Sequence, residues 1–194
     1  MKKSVFFFLA VCLFISLNVV GQQSLRYKFA SRKVGNKKIN VLKSDTDSLV
    51  VQPQEKVKPG TFKRSFTLGG QSYHWILGSS STLYRGDTVL ATATKTLNVN
   101  GKSYKIKQRG TSSYSYLTPD KKEVIRGVVS KEKGELMVNI VFLDNQLPDR
   151  ATLEVASTYF GLTMIEARKR KPGVVLASVA GFALGYALGS AAAN

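Results

Sequence analysis

The sequence predicts a mainly β protein: an antiparallel barrel or sandwich with one or two hydrophobic helices at its C-terminal end. Three observations lead there. From Thr61 to Leu143, apolar residues recur at every second position between regularly spaced turns, the period of a strand with one buried face. After Pro148 the period changes, and the following segment is apolar nearly all round, as a buried helix is. From Gly173 to Ala193 there is no charged residue, and glycine or alanine recurs at every fourth place.

Residues 1–21 read as a secretory signal. Lys2 and Lys3 precede the apolar run SVFFFLAVCLFISLNVV, and VVG precedes Gln22 with the short residues a signal peptidase requires. A retained N-terminal anchor is the other reading. Val11 stands before Cys12 where a lipoprotein signal needs a small residue, which argues against lipidation. Cleavage after Gly21 removes Cys12, the only cysteine, so no disulfide or cysteine metal site is expected. The expected location is the cell envelope, on its periplasmic side.

Residues 22–60 are polar and basic. KINVL and DSLVVQ read as short strands with a turn at KSDTD, and QPQEKVKPG, with Pro53 and Pro59, as a connector. No chemistry is legible there.

The region 61–171 reads as a β-rich domain ending in a hydrophobic helix. TFKRSFTLGG carries Phe62, Phe66 and Leu68 on one parity, and QSYHWIL sets Tyr73, Trp75 and Leu77 against Ser72, His74 and Ile76. A turn falls at Arg85-Gly86-Asp87. The clearest hairpin is TLNVNGKSYKIKQ, because Asn100-Gly101 favours the positive backbone angles of a two-residue turn. SSYSYL, VIRGVVS and LMVNIVFL follow, separated by TPDKKE and KEKGE. LMVNIVFL is apolar on both parities, so it is expected to be central and covered on both faces. About six to eight strands spaced this way predict a sandwich or a closed barrel.

Pro148-Asp149 offers a helix start, with Asp149 placed to cap free N–H groups. Leu153, Val155, Ala156, Tyr159, Phe160, Leu162, Met164 and Ile165 then surround the segment, and Arg168 to Lys171 complement its C-terminal dipole before Pro172-Gly173. The threonines and Gly161 weaken a helix, and a long final strand is the alternative.

A strand series ending in one all-round hydrophobic helix resembles the tubby-like superfamily, which includes the scramblases and the LURP-one-related proteins. The resemblance rests on SYHWILGSSSTLYRGDTVLATATK and DRATLEVASTYFGLTMIEARKR, within about Thr61 to Lys171. It implies a β-barrel enclosing a central helix and a lipid-facing or scaffolding role. No phosphoinositide-binding residues carry over, and the export signal and the further apolar segment depart from familiar members.

The segment 172–194 is similar to glycine-zipper segments of envelope proteins. Residues four apart share a helix face, so Ala177, Gly181, Gly185 and Gly189 form a smooth packing stripe that also allows a homo-oligomer. At about 1.5 Å per residue the run from Gly173 to Ala193 reaches about 31 Å, enough to cross a hydrocarbon core. Its basic run precedes it and only Asn194 follows, contrary to the positive-inside pattern. Three readings stay open: insertion from the periplasmic side, burial as the central helix of the domain, and packing against a partner protein.

Charge narrows the partner. The chain has 29 Lys and Arg against 12 Asp and Glu, a net charge of +17. For an exported protein the matching partners are lipid phosphates and acidic envelope polymers rather than nucleic acid, with about 1 kcal/mol for each cation that reaches such a surface. The plain alternative is that lysine keeps the chain soluble.

No catalytic constellation is legible. His74 is the only histidine, no serine sits in a nucleophile elbow, and the acidic residues fall in polar turns. No cofactor or metal is expected, and an enzyme is the least supported class. The expected function is a non-enzymatic envelope protein. Arg168, Lys169, Arg170 and Lys171 engage acidic headgroups while the glycine face holds helix–helix contacts. The second reading is a soluble periplasmic or secreted ligand-binding barrel whose C-terminal apolar segment is core.

Overall fold

The computed structural model of the chain describes residues 23–169. Residues 1–22, where the sequence predicts a secretory signal, and the positions Arg170, Lys171, Ala177, Gly181, Gly185 and Gly189 lie outside the described residues. The elements are β1 (Gln23–Val34), β2 (Lys37–Lys43), β3 (Ser48–Val51), β4 (Glu55–Lys58), β5 (Thr61–Leu68), β6 (Gln71–Leu77), β7 (Ser81–Arg85), β8 (Thr88–Ala93), β9 (Thr96–Val99), β10 (Lys102–Arg109), β11 (Ser113–Leu117), β12 (Glu123–Glu132), β13 (Glu135–Phe142) and α1 (Arg150–Lys169).

All strand pairs are antiparallel. Two pairings between strands that are not consecutive close the sheet: β1 returns to β13 at the other end of the strand order, and β3 joins β5 past the short β4. The result is a closed 12-strand barrel with one C-terminal helix, the predicted class with the barrel chosen over the sandwich. β4 continues the line of β3 along the same edge of β5, pairing at Thr61–Lys63 where β3 pairs at Phe66–Leu68.

The N-terminal region is part of this wall. KINVL and DSLVVQ supply β2 and β3, as expected, with the turn at Ser44–Asp47. β1 was not legible from sequence, because Leu25, Tyr27 and Phe29 face inward while arginine and lysine fill the positions between and beyond them. The expected connector contains β4, whose four residues are all exposed. A backbone ladder holds such a strand without burial, and so without a hydrophobic period.

β13 corrects a second expectation. It is central, with β1 and β12 on its two edges, but only one face is covered: Val138, Ile140 and Phe142 are buried while Asn139 is exposed. In a closed barrel the outer face stays open however apolar the strand is.

Residues 150–169 form a helix rather than a final strand, and this apolar segment lies inside the barrel. About eight strands already enclose a space that side chains alone fill. Twelve leave more, and α1 occupies it. Successive helical residues turn by about 100°, and three in a row meet three different parts of the wall. Tyr159 stacks on Phe66 of β5 at 5.0 Å, Phe160 meets Tyr114 of β11 edge-on at 4.8 Å, and Gly161 lies against Val138 of β13. That geometry requires apolar residues all round.

The helix starts where expected, but not with the expected cap. Asp149 has φ +63° and its carbonyl accepts the Leu153 N–H at 3.0 Å. Its carboxylate turns away to accept from Asn100 Nδ2 at 2.5 Å, tying the helix start to the β9–β10 turn.

α1 therefore runs from one mouth of the barrel to the other. At the proximal mouth Arg150 stands 4.5 Å over the Phe142 ring and bonds Gln23. At the distal mouth lie the helix end and the β1–β2 and β12–β13 hairpins.

Candidate functional site

The distal mouth gathers the polar groups that the fold places in unusual company. Arg64 shares the inward parity of Phe62, Phe66 and Leu68, so its guanidinium enters the barrel. Glu166 meets it from α1. Arg64 Nη1 donates to Glu166 Oε2 at 2.8 Å and Nη2 donates to Oε1, a two-pronged pair whose side chains are only 13 % and 11 % exposed. Asn40 of β2 donates from Nδ2 to the same Oε1 at 2.7 Å, and its own Oδ1 accepts from Ser31 Oγ at 3.1 Å. The Tyr159 ring lies 5.8 Å from the guanidinium.

Burial alone pushes the Arg64 pKa down, but Tyr159 and the Glu166 carboxylate outweigh it, and the net direction is upward. An arginine so held does not exchange protons in any working range. The cluster acts as a clamp, tying the end of α1 to β2 and β5. Its place explains the need for it. β3 joins those two strands only at Asn40–Lys43 and Phe66–Leu68, and beyond Val51 they lose their common partner. The clamp bridges the seam.

Of the predicted site residues, Arg168 and Lys169 fall within the description. They end α1 at the distal mouth and both are exposed. Arg168 Nη1 donates to the Val129 carbonyl at 3.3 Å, and Lys169 Nζ stands 4.2 Å over the Phe29 ring.

The residues missed from sequence are Arg64, Glu166 and Asn40. A signal existed for two of them: an arginine on an apolar parity and a glutamate in an all-round apolar helix each need a buried partner.

Other groups resolve as structure. His74 lies on the outer wall, its ring stacked on Tyr84 at 4.9 Å and 7°. Burial, then Lys63, lowers its pKa against the opposing pull of Asp87. Tyr114 and Tyr116, from the stretch SSYSYL, are inside the barrel. The Tyr114 hydroxyl donates to the Ser157 carbonyl at 2.7 Å. Among the described residues no group of His, Cys, Asp or Glu has a metal-holding arrangement, and no helix is long and apolar enough to cross a membrane.

The chain matches no protein-family model, no curated protein and no solved structure.

Proposed function

We propose that this chain is a non-enzymatic, exported protein of the cell envelope, held at an anionic membrane by its C-terminal segment and the basic collar before it. One observation carries the reading. α1 threads the barrel and delivers Arg168 and Lys169, exposed, to the distal mouth, and in the sequence Arg170, Lys171 and the apolar run follow directly. Cations at the base of an apolar segment hold its end at phosphate depth, at about 1 kcal/mol each.

The alternative reading needed residues 173–193 as core. It loses support because the barrel interior already holds α1. The tubby-like reading belongs to the same proposal. It draws on a layout, a closed antiparallel barrel around a hydrophobic C-terminal helix, and not on a signature motif.

The test is membrane fractionation with an alkaline carbonate wash, comparing the full chain with one stopped at Lys171. The expected result keeps the full chain in the membrane pellet and releases the shortened one with an unchanged near-ultraviolet circular dichroism spectrum. A full chain found in the soluble fraction sinks the proposal.

A further inference from the structure

Charge in this fold is sorted between the two ends of the barrel. Every aspartate of the chain (Asp45, Asp47, Asp87, Asp120, Asp144 and Asp149) lies in a turn or connection at the proximal mouth. Lys43, Arg85, Lys102, Lys121, Lys122 and Arg150 share that end and balance them. Lys122 and Asp144 are joined directly at 2.8 Å.

The distal mouth has no such balance. The β1–β2 hairpin carries Arg32, Lys33, Lys37 and Lys38, and the β12–β13 hairpin carries Lys131 and Lys133. All are exposed, and none forms an ion pair with a described residue. The glutamates at this end are mostly spent on other partners. Glu132 is paired with Arg26, Glu135 with Lys28 and Glu166 with Arg64, which leaves Glu55. Among the described residues the excess positive charge is therefore concentrated at one end.

Shape adds a second observation. β1 leaves β13 after Lys28, and β2 leaves β3 before Asn40, so from Ser31 to Ile39 the two strands pair only with each other and stand out from the rim as an arm. Val34, beside Lys33 near the tip of this arm, is 51 % exposed. On β4, near the same mouth, Val57 is 56 % exposed between Lys56 and Lys58, whereas the exposed Val89 at the proximal end follows the Asp87 turn and has no flanking lysine. A soluble acidic polymer has no use for an exposed valine. A bilayer surface has, because phosphates meet the lysines while the apolar side chain enters the layer just below.

We propose that the distal mouth, led by the β1–β2 arm, is a docking surface for an anionic lipid bilayer, seating the barrel with its aspartate-bearing end away from the membrane. This rests on the membrane reading above, but assigns binding to the folded barrel rather than to the C-terminal segment alone.

The test uses the full chain with vesicles of phosphatidylcholine and vesicles enriched in phosphatidylglycerol. Two variants carry the same change in net charge at opposite ends: Lys33→Glu with Lys37→Glu, and Lys102→Glu with Lys121→Glu. A third, Val34→Asp, probes the tip. The distal pair is expected to weaken partition onto anionic vesicles at least about tenfold and the proximal pair by less than about twofold, with salt shrinking the difference. Val34→Asp is expected to weaken it beyond what its single charge explains. Equal losses from both pairs overturn the docking surface, since net charge alone then governs. Equal binding of wild type and distal variant to neutral and anionic vesicles also overturns it, while leaving the C-terminal anchor intact. No binding to either vesicle by the wild type removes the membrane reading itself. Binding to dextran sulfate but to neither vesicle assigns the mouth to acidic polymers instead.

Discussion

Tyr114 of β11 and Gly127 of β12 face each other across the ladder, and the phenol ring occupies the space that a β-carbon on Gly127 would need, 2.1 Å away. The ring reaches over the glycine to Phe160, and its hydroxyl reaches the Ser157 carbonyl. A residue without a side chain on the wall is thus what lets the wall grip the helix.

Gly127→Ala is expected to destabilise the fold by about 1–3 kcal/mol, the usual cost of overpacking, because the added carbon meets an aromatic ring held at both ends. Thermal unfolding of Gly127→Ala and of Gly127→Ala with Tyr114→Leu checks this, with the second recovering part of the loss. An unchanged midpoint for the single variant contradicts the packing described.

Gly161 makes the opposite case from the helix side. Replacing a mid-helix glycine with alanine ordinarily stabilises by about 1 kcal/mol. Here the new carbon would lie 2.6 Å from Val138 Cγ1. Gly161→Ala is expected to lower stability in the native background and to raise it once Val138→Ala has made room. Urea titrations of the four chains in that cycle give the sign directly.

The Arg64–Glu166 clamp is buried enough that removing one partner strands the other. Arg64→Met or Glu166→Met alone is expected to cost about 3–5 kcal/mol, and the double replacement much less than the sum. If each single change costs under about 1 kcal/mol, the pair behaves like a surface ion pair and does not hold the seam.

Alkali tests the interior. Burial pushes Tyr27 up to about 12, and burial likewise pushes Tyr159 up to about 12. The ordinary phenol value is 10.0. Groups with a raised folded pKa stabilise the fold fully below their unfolded value and lose that contribution as pH rises through the folded one. Stability is therefore expected to fall between pH 10 and about pH 12. Phenolate absorbance of the buried tyrosines should rise together with unfolding. A smooth, complete titration centred near pH 10 with the fold intact would place these rings in water.

Several features were legible in the chain because each is local. Asn100-Gly101 makes its hairpin with φ of 46° and 78°. Phe62, Phe66, Leu68, Trp75 and Leu77 point inward on the parity their spacing sets. Arg168 and Lys169 end the helix as the dipole favours. The strands that escaped notice, β1 and β4, bury little or carry charge on most positions, so no hydrophobic period marks them.

By itself the sequence determined the strand period, the turns and an apolar helix too uniformly hydrophobic to stay in water, since each depends on residues a few places apart. The tertiary structure alone decided that the sheet closes, because the β1–β13 pairing joins segments more than a hundred residues apart and the β3–β5 pairing passes over β4. Closure then decided the rest. It placed α1 inside and brought Arg64, Asn40 and Glu166 into contact. It also sent the turns to alternate ends, so that the aspartates gathered at one mouth and the unpaired lysines at the other.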